Sequence, residues 1–173
     1  MPALLHVVSY SSSSTTALLQ SWLRRMHQMM QADSAQTYEL HVLNESTTRL
    51  SHLTGVDASA GNGAHGDSMW QAANRRKVSA VREMAAALPE GSLVVFTDLD
   101  VVPIRALSAL PRPALRQRIR FESDCFAADC TRGCPRHWKR ACNGGLWMFS
   151  VNTQTLEALA AWSDAIRLTP VAE

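Results

Sequence analysis

The sequence predicts an α/β fold in one domain, a mostly parallel sheet flanked by helices. Three observations carry that expectation. Leu4–Tyr10 and Tyr38–Leu43 read as short strands on either side of a stretch with helical periodicity. That strand–helix–strand order belongs to parallel strands joined by a right-handed crossover. Leu93–Thr97 is apolar at nearly every position, which suits a strand covered on both faces. The length of 173 residues and the 46% hydrophobic content fit a single domain, residues 1–173, with a sizeable core.

Each element follows from local pattern. Leu4-Leu5-His6-Val7-Val8-Ser9-Tyr10 reads as a first strand. The polar run Ser11 to Thr16 turns the chain, with Thr15 or Thr16 as N-cap. Leu18, Leu19, Trp22, Leu23, Met26, Met29 and Met30 then recur at helical spacing, so a helix is predicted over about Thr16 to Gln31. The second strand ends at Asn44 and Glu45. Residues 51–73 are predicted as a flexible loop, because Gly55, Gly61, Gly63 and Gly66 have turn chemistry and no periodicity. The Gly-Asn-Gly within it lacks the following Gly-Lys-Ser of a phosphate loop. A second helix is predicted from about Asn74 to Leu88, with Val78, Val81, Met84, Ala85 and Leu88 facing inward. Arg75, Arg76 and Lys77 then crowd its first turn, against the macrodipole, either as a solvated basic turn or as the seat of an anion such as a diphosphate. Pro89-Glu90-Gly91-Ser92 turns into the central strand. Ile119 to Phe126 is a further strand candidate and Leu146–Val151 a clear one. Asn152 or Thr153 caps a last helix, with Leu156, Leu159, Ala160 and Ile166 inward. There is no internal repeat.

Bulk composition excludes several classes. A net charge of +2 gives no electrostatic case for a nucleic-acid partner. No apolar run reaches the roughly 20 residues of a membrane helix. Met1 to Tyr10 lacks a basic n-region, and no signal peptide or anchor is read in this chain. Cys125, Cys130, Cys134 and Cys142 fall within one short stretch that also holds His137. Disulfides, a zinc site and free thiols all remain open for them, although no tight C-x2-C knuckle is present.

The sharpest chemical signal is Phe96-Thr97-Asp98-Leu99-Asp100. In extended chain, side chains two residues apart point the same way, so Asp98 and Asp100 are expected to converge at the carboxyl end of a buried strand. Two carboxylates so close repel unless a cation or a proton sits between them, and a hard ion such as Mn²⁺ or Mg²⁺ is the natural occupant. Ligands of open α/β sheets bind outside the carboxyl ends of the strands. Ser9 to Ser12, Asn44 and Glu45, the aspartate pair and the approach through Asn143 all fall at such ends.

Lys77 opening a helix, Phe96-Thr97-Asp98-Leu99-Asp100-Val101-Val102-Pro103, Phe121-Glu122-Ser123-Asp124-Cys125 and Cys142-Asn143-Gly144-Gly145-Leu146-Trp147-Met148-Phe149 together resemble the nucleotide-diphospho-sugar transferases of the GT-A fold. They are also similar to the glycosyltransferase domains of collagen-modifying enzymes. The resemblance spans Leu4 to about Trp162 and is most specific from Lys77 to Phe149. It implies a GT-A-like, Rossmann-like architecture and transfer of a sugar from a nucleotide-diphospho-sugar, a UDP-sugar foremost, to a protein or glycan acceptor. It implies that Asp98 and Asp100 bind the divalent metal, with Asp98 also meeting the donor's ribose or diphosphate. Lys77 and Arg76 would lie near the nucleotide-sugar. Asn143, Gly144 and Gly145 would form the turn lining the donor-sugar and acceptor cleft. Ser9, Tyr10 and Glu45 would meet nucleobase and ribose, and Glu122 and Asp124 would stand on the acceptor side. It also implies a Golgi or ER lumen address, reached through an N-terminal leader.

Departures from the family pattern are equally specific. The histidine or acid that commonly completes the metal shell is expected after the last strand, yet no histidine follows His137, and the D-Q motif is absent. A chain shortened at its C-terminus is therefore expected, and with it a GT-A-like binding module without turnover as the alternative function. A third possibility is a haloacid-dehalogenase-like phosphatase, which also places D-x-D after an apolar strand with the first aspartate as nucleophile. Here Val101-Val102-Pro103 replaces the threonine and glycine expected next. The cysteine cluster taken alone would suggest a cysteine-clamped structural domain. His6 and His41 alternate with apolar strand residues and read as core or edge histidines rather than ligands. Trp138, Trp147 and Trp162 read as core, with Trp147 the best placed to stack on a sugar.

Overall fold

The computed structural model describes residues 4–11, 15–34, 36–44, 68–101, 106–107, 119–123 and 142–168. In chain order these form β1 (Leu5–Tyr10), α1 (Thr16–Ala32), β2 (Tyr38–Leu43), α2 (Ser68–Ala86), β3 (Leu93–Thr97), β4 (Arg120–Ser123), β5 (Cys142–Ser150) and α3 (Thr153–Leu168). The five strands make one sheet in the order β2-β1-β3-β5-β4. β1 runs parallel to both β2 and β3, whereas β5 runs antiparallel to β3 and to β4. The sheet is thus mixed rather than mostly parallel. The apolar pattern of the β5 segment marks it as a strand but carries no information about its direction, which tertiary pairing sets.

Alternation along the strands divides the core in two. Leu5 and Val7 of β1 with Leu93 and Val95 of β3 face α1, where Trp22, Met26 and Met29 line one helical stripe. Val8, Val94 and Phe96 face the other way, against Val78, Val81 and Ala85 of α2 and Leu159 of α3. Helices therefore cover both faces, and β3 is buried at all five positions. An aromatic stack runs through the second layer. Trp147 lies between Phe96 and Phe149, with ring centroids 5.0 and 5.7 Å away, and meets Trp162 edge-on at 5.2 Å. Trp147 is 1% exposed, so this ring belongs to the core and offers no face to a sugar.

Local chemistry sets the element ends. Asn152 caps α3: its Oδ1 accepts from the Thr155 N–H at 2.9 Å, and Thr155 Oγ1 accepts from the Asn152 N–H at 3.0 Å. This is a capping box with threonine in the third position. Thr15 precedes α1 without capping it, because its hydroxyl pairs with Ser11 Oγ at 3.1 Å. Gly91 turns into β3 with a φ of 83°, a left-handed value suited to glycine.

Two further expectations are corrected. α2 begins at Ser68, six residues before the predicted start, so residues 68–73 are helix rather than loop. Arg75, Arg76 and Lys77 consequently sit well inside α2 and cannot form an anion seat at its N-terminus. The Asn143-Gly144-Gly145 segment lies inside β5 rather than forming a turn before it. The irregularity falls in the pairing: Phe121 faces Trp147 while the next residue, Glu122, faces Asn143. Extra residues on β5 are taken up there as a bulge. The rest of the predicted loop at 51–67 lies outside the described residues.

Candidate functional site

The strand order reverses at β1. The chain leaves β1 through α1 to reach β2 on one side, then returns through α2 to β3 on the other side. The carboxyl ends of β1 and β3 flank this switch point, where open α/β sheets bind their ligands. β3 ends at Thr97 and delivers Asp98 there.

Thr97 and Asp98 are fixed from three directions. Trp22 of α1 donates its indole N–H to Thr97 Oγ1 at 2.8 Å in the buried layer. The Asp98 N–H donates to the Gly145 carbonyl at 2.7 Å, joining the aspartate motif to the glycine pair of β5. Lys77 Nζ of α2 donates to both carboxylate oxygens of Asp98, at 2.9 and 3.1 Å. The same ammonium lies 5.3 Å from the centre of the Phe96 ring, a cation–π distance. The Lys77 side chain is 12% exposed and that of Asp98 33%. Burial pushes the Asp98 carboxyl above its usual range, Lys77 opposes that shift by charge and hydrogen bond, and Asp100 adds to it.

The aspartate pair does not continue the strand. The Val101 N–H donates to the Asp98 carbonyl at 3.1 Å, so Asp98–Val101 is a turn with Leu99 and Asp100 at its centre. Leu99 is buried and Asp100 exposed. The side-by-side convergence expected of extended chain is replaced by a buried acid followed by a surface acid. Asp98 is balanced by Lys77, and Asp100 is close enough to act on it electrostatically.

Other candidates fall at varied distances from this centre. Ser9 is fully buried, and its Oγ has no hydrogen-bond partner among the described residues. Tyr10 is half-buried and packs against the α2/α3 layer. Arg76 is half-buried on α2. The backbone places Asn143, Gly144 and Gly145 on β5 and Glu122 opposite Asn143 on β4. Glu45 and Asp124 lie outside the described residues, as do Cys125, Cys130, Cys134, His137 and Trp138. The structure thus gathers Lys77, Asp98, Asp100 and Gly145 at one end of β3.

A second polar cluster lies within β1 and β2. His6 Nδ1 is 3.0 Å from His41 Nε2 and 3.3 Å from Glu39 Oε2. Burial pushes His41 below its usual pKa, Glu39 opposes the shift, and His6 adds to it. Two of the three members of this cluster are legible from sequence, since Glu39 and His41 alternate onto one strand face. Adding His6 requires the β1–β2 register.

No protein-family model, curated protein or solved structure matches this chain. Among the described residues no helix is long and apolar enough to cross a membrane.

Proposed function

We propose that the chain is a glycosyltransferase-type domain. It takes a nucleotide-diphospho-sugar, a UDP-sugar foremost, and passes the sugar to a protein or glycan acceptor, assisted by a divalent ion at Asp98-Leu99-Asp100. The observation that carries this reading is the placement of Asp98. A carboxylate raised by burial stands at the switch point of the sheet, held at its amide by Gly145 and at its oxygens by Lys77. Lys77 balances one negative charge, and a second carboxylate follows two residues later on the exposed side of the same turn, which leaves the turn one negative charge in excess of that ammonium. Paired carboxylates suit Mn²⁺ or Mg²⁺, which prefer oxygen ligands and bind together with phosphates.

The residues present fit such an ion by donor type, with Asp98 and Asp100 as the holders. A divalent ion held there would supply positive charge to offset that of a departing nucleoside diphosphate. Lys77 supplies a further positive charge beside the same carboxylate, suited to diphosphate oxygens. The Gly145 carbonyl keeps Asp98 in place, and Trp22 keeps Thr97 in place, so the acid is positioned by α1, α2 and β5 together. Asn143 and Glu122 are opposite one another on β5 and β4, which suits neighbouring donor-sugar and acceptor-side roles.

The Lys77–Asp98 pair also favours a second reading, a GT-A-like module that binds without turnover. A carboxylate already balanced by an ammonium gains less from a metal than a bare pair of acids does. Calorimetry of UDP with and without Mn²⁺, followed by an assay for UDP-sugar hydrolysis and transfer, separates the two. Metal-dependent UDP binding with transfer supports the enzyme. The same binding without hydrolysis or transfer supports the module. Binding unaffected by both Mn²⁺ and Asp98→Asn removes both readings.

A further inference from the structure

The sheet holds a group of metal-ligating side chains far along the strands from Asp98. His6 is the second residue of β1, and Glu39 and His41 lie on the edge strand β2. The parallel register pairs His6 with Glu39 and Val8 with His41, so all three project from the α2/α3 face. His6 is 4% exposed, His41 is half-buried, and Glu39 reaches solvent with 51% of its side chain exposed.

Hydrogen bonding alone does not explain this arrangement. An imidazole nitrogen has one in-plane direction, filled either by a proton or by a lone pair. His6 Nδ1 has two partners competing for that direction, His41 Nε2 at 3.0 Å and Glu39 Oε2 at 3.3 Å. If Nδ1 carries a proton, it serves one partner well and the other poorly. If it carries a lone pair, it faces the lone pairs of the carboxylate. The other Glu39 oxygen lies 3.9 Å from His41 Nε2, beyond hydrogen-bond range.

One cation serves all three groups at once. Protein atoms holding a zinc ion at about 2.0–2.2 Å with tetrahedral angles lie about 3.3 Å from one another. His6 Nδ1 lies near that value from both His41 Nε2, at 3.0 Å, and Glu39 Oε2, at 3.3 Å, whereas the nearest approach of Glu39 to His41 Nε2 is longer, 3.9 Å through Oε1; one ligand atom from each residue lies within 4.8 Å of the other two. Two imidazoles and one carboxylate are also the donor set of borderline first-row ions rather than of Mg²⁺ or Ca²⁺.

We propose that His6 Nδ1, His41 Nε2 and a Glu39 carboxylate oxygen form a binding site for a zinc-class divalent ion that staples edge strand β2 to β1. Glu39, 51% exposed, is the ligand that reaches solvent. The site is separate from the Asp98 centre and stands or falls independently of the function proposed there. Two of its ligands sit on the strand that is at the edge of the described sheet, so the ion adds a cross-link to the backbone pairing with β1. Metal bound to the folded form alone raises stability by mass action.

The test is Zn²⁺ titration of the full chain by calorimetry and thermal melting, with Mg²⁺ for comparison and Glu39→Gln and His41→Gln as variants. Glu39 is exposed, so its variant keeps the fold even if a change at His41 does not. Far-UV circular dichroism checks both. The expected result is one zinc per chain, a raised melting temperature, little response to Mg²⁺, and affinity lowered about 10- to 100-fold or more in a folded variant. Cobalt substitution identifies the donors, because thiolate ligation gives a sulfur-to-cobalt charge-transfer band that histidine and carboxylate do not. Absence of zinc binding, undiminished affinity in Glu39→Gln, or a thiolate band at one equivalent of cobalt overturns the proposal.

Discussion

At the carboxyl end of β3 a half-buried carboxylate meets an ammonium at 2.9 Å, whereas within β1 and β2 two imidazoles and a carboxylate meet one another. Among the described residues Glu39 makes ion pairs with histidines alone. Among the described residues the first cluster holds a lysine counter-charge, and the second holds only imidazoles beside its carboxylate. A ligand for Asp98 must therefore exchange with Lys77 or join it, while a cation at His6, Glu39 and His41 simply adds to what is present. The contrast follows from position. Lys77, in the middle of α2, reaches Asp98 just past the end of β3 and lies over the Phe96 ring. Among the described residues β2 is an edge strand, and the β1–β2 pair gathers its polar groups through its register.

The largest expected effect comes from removing the floor beneath the carboxyl-end cluster. Trp147→Ala deletes the ring stacked between Phe96 and Phe149 and is expected to cost about 3–5 kcal/mol in chemical denaturation. Lys77→Met tests the internal counter-charge itself. It leaves Asp98 partly buried and unpaired, so stability is expected to fall by about 1–3 kcal/mol, moderated by the one-third exposure of that carboxylate. The double variant with Asp98→Asn is expected to recover part of the loss, which a double-mutant cycle measures. Trp22→Phe removes the indole donor to Thr97 and leaves that buried hydroxyl short of a partner, for an expected loss of about 1–2 kcal/mol in the same assay. Glu39→Gln is the smallest: without added metal its stability is expected to stay within about 0.5 kcal/mol of the parent. A loss as large as that of Lys77→Met would mean that the two clusters do not differ in the way described.

Sequence pattern locates these strands well because their signals are local. Tyr38–Leu43 alternates apolar residues with Glu39 and His41, Leu93–Thr97 is a nearly continuous apolar run, and β2 and β3 have those limits. The start of α2 was harder to read. Ser68 to Ala73 adjoins a glycine-rich stretch and has no clear apolar stripe, yet it is helical. The direction of β5 was hidden because it depends on pairing with β3, which lies some fifty residues earlier in the chain. At the site, Lys77 and Asp98 were each visible as chemistry-bearing residues. Their direct pairing was not, since it spans a helix and a turn. The turn at Asp98–Val101 defeated the strand-alternation argument for Asp98 and Asp100. His41 and Glu39 alternate visibly, but His6 joins them only through the β1–β2 register.

The central claim is that Asp98 anchors a divalent ion together with a nucleoside diphosphate. Calorimetric titration of UDP, with and without Mn²⁺, against the parent chain and a folded Asp98→Asn variant tests it most directly. The predicted result is UDP binding that requires Mn²⁺ and is lost in Asp98→Asn. UDP binding that is equal with and without Mn²⁺, binding unchanged in the variant, or no binding under any of these conditions would contradict it.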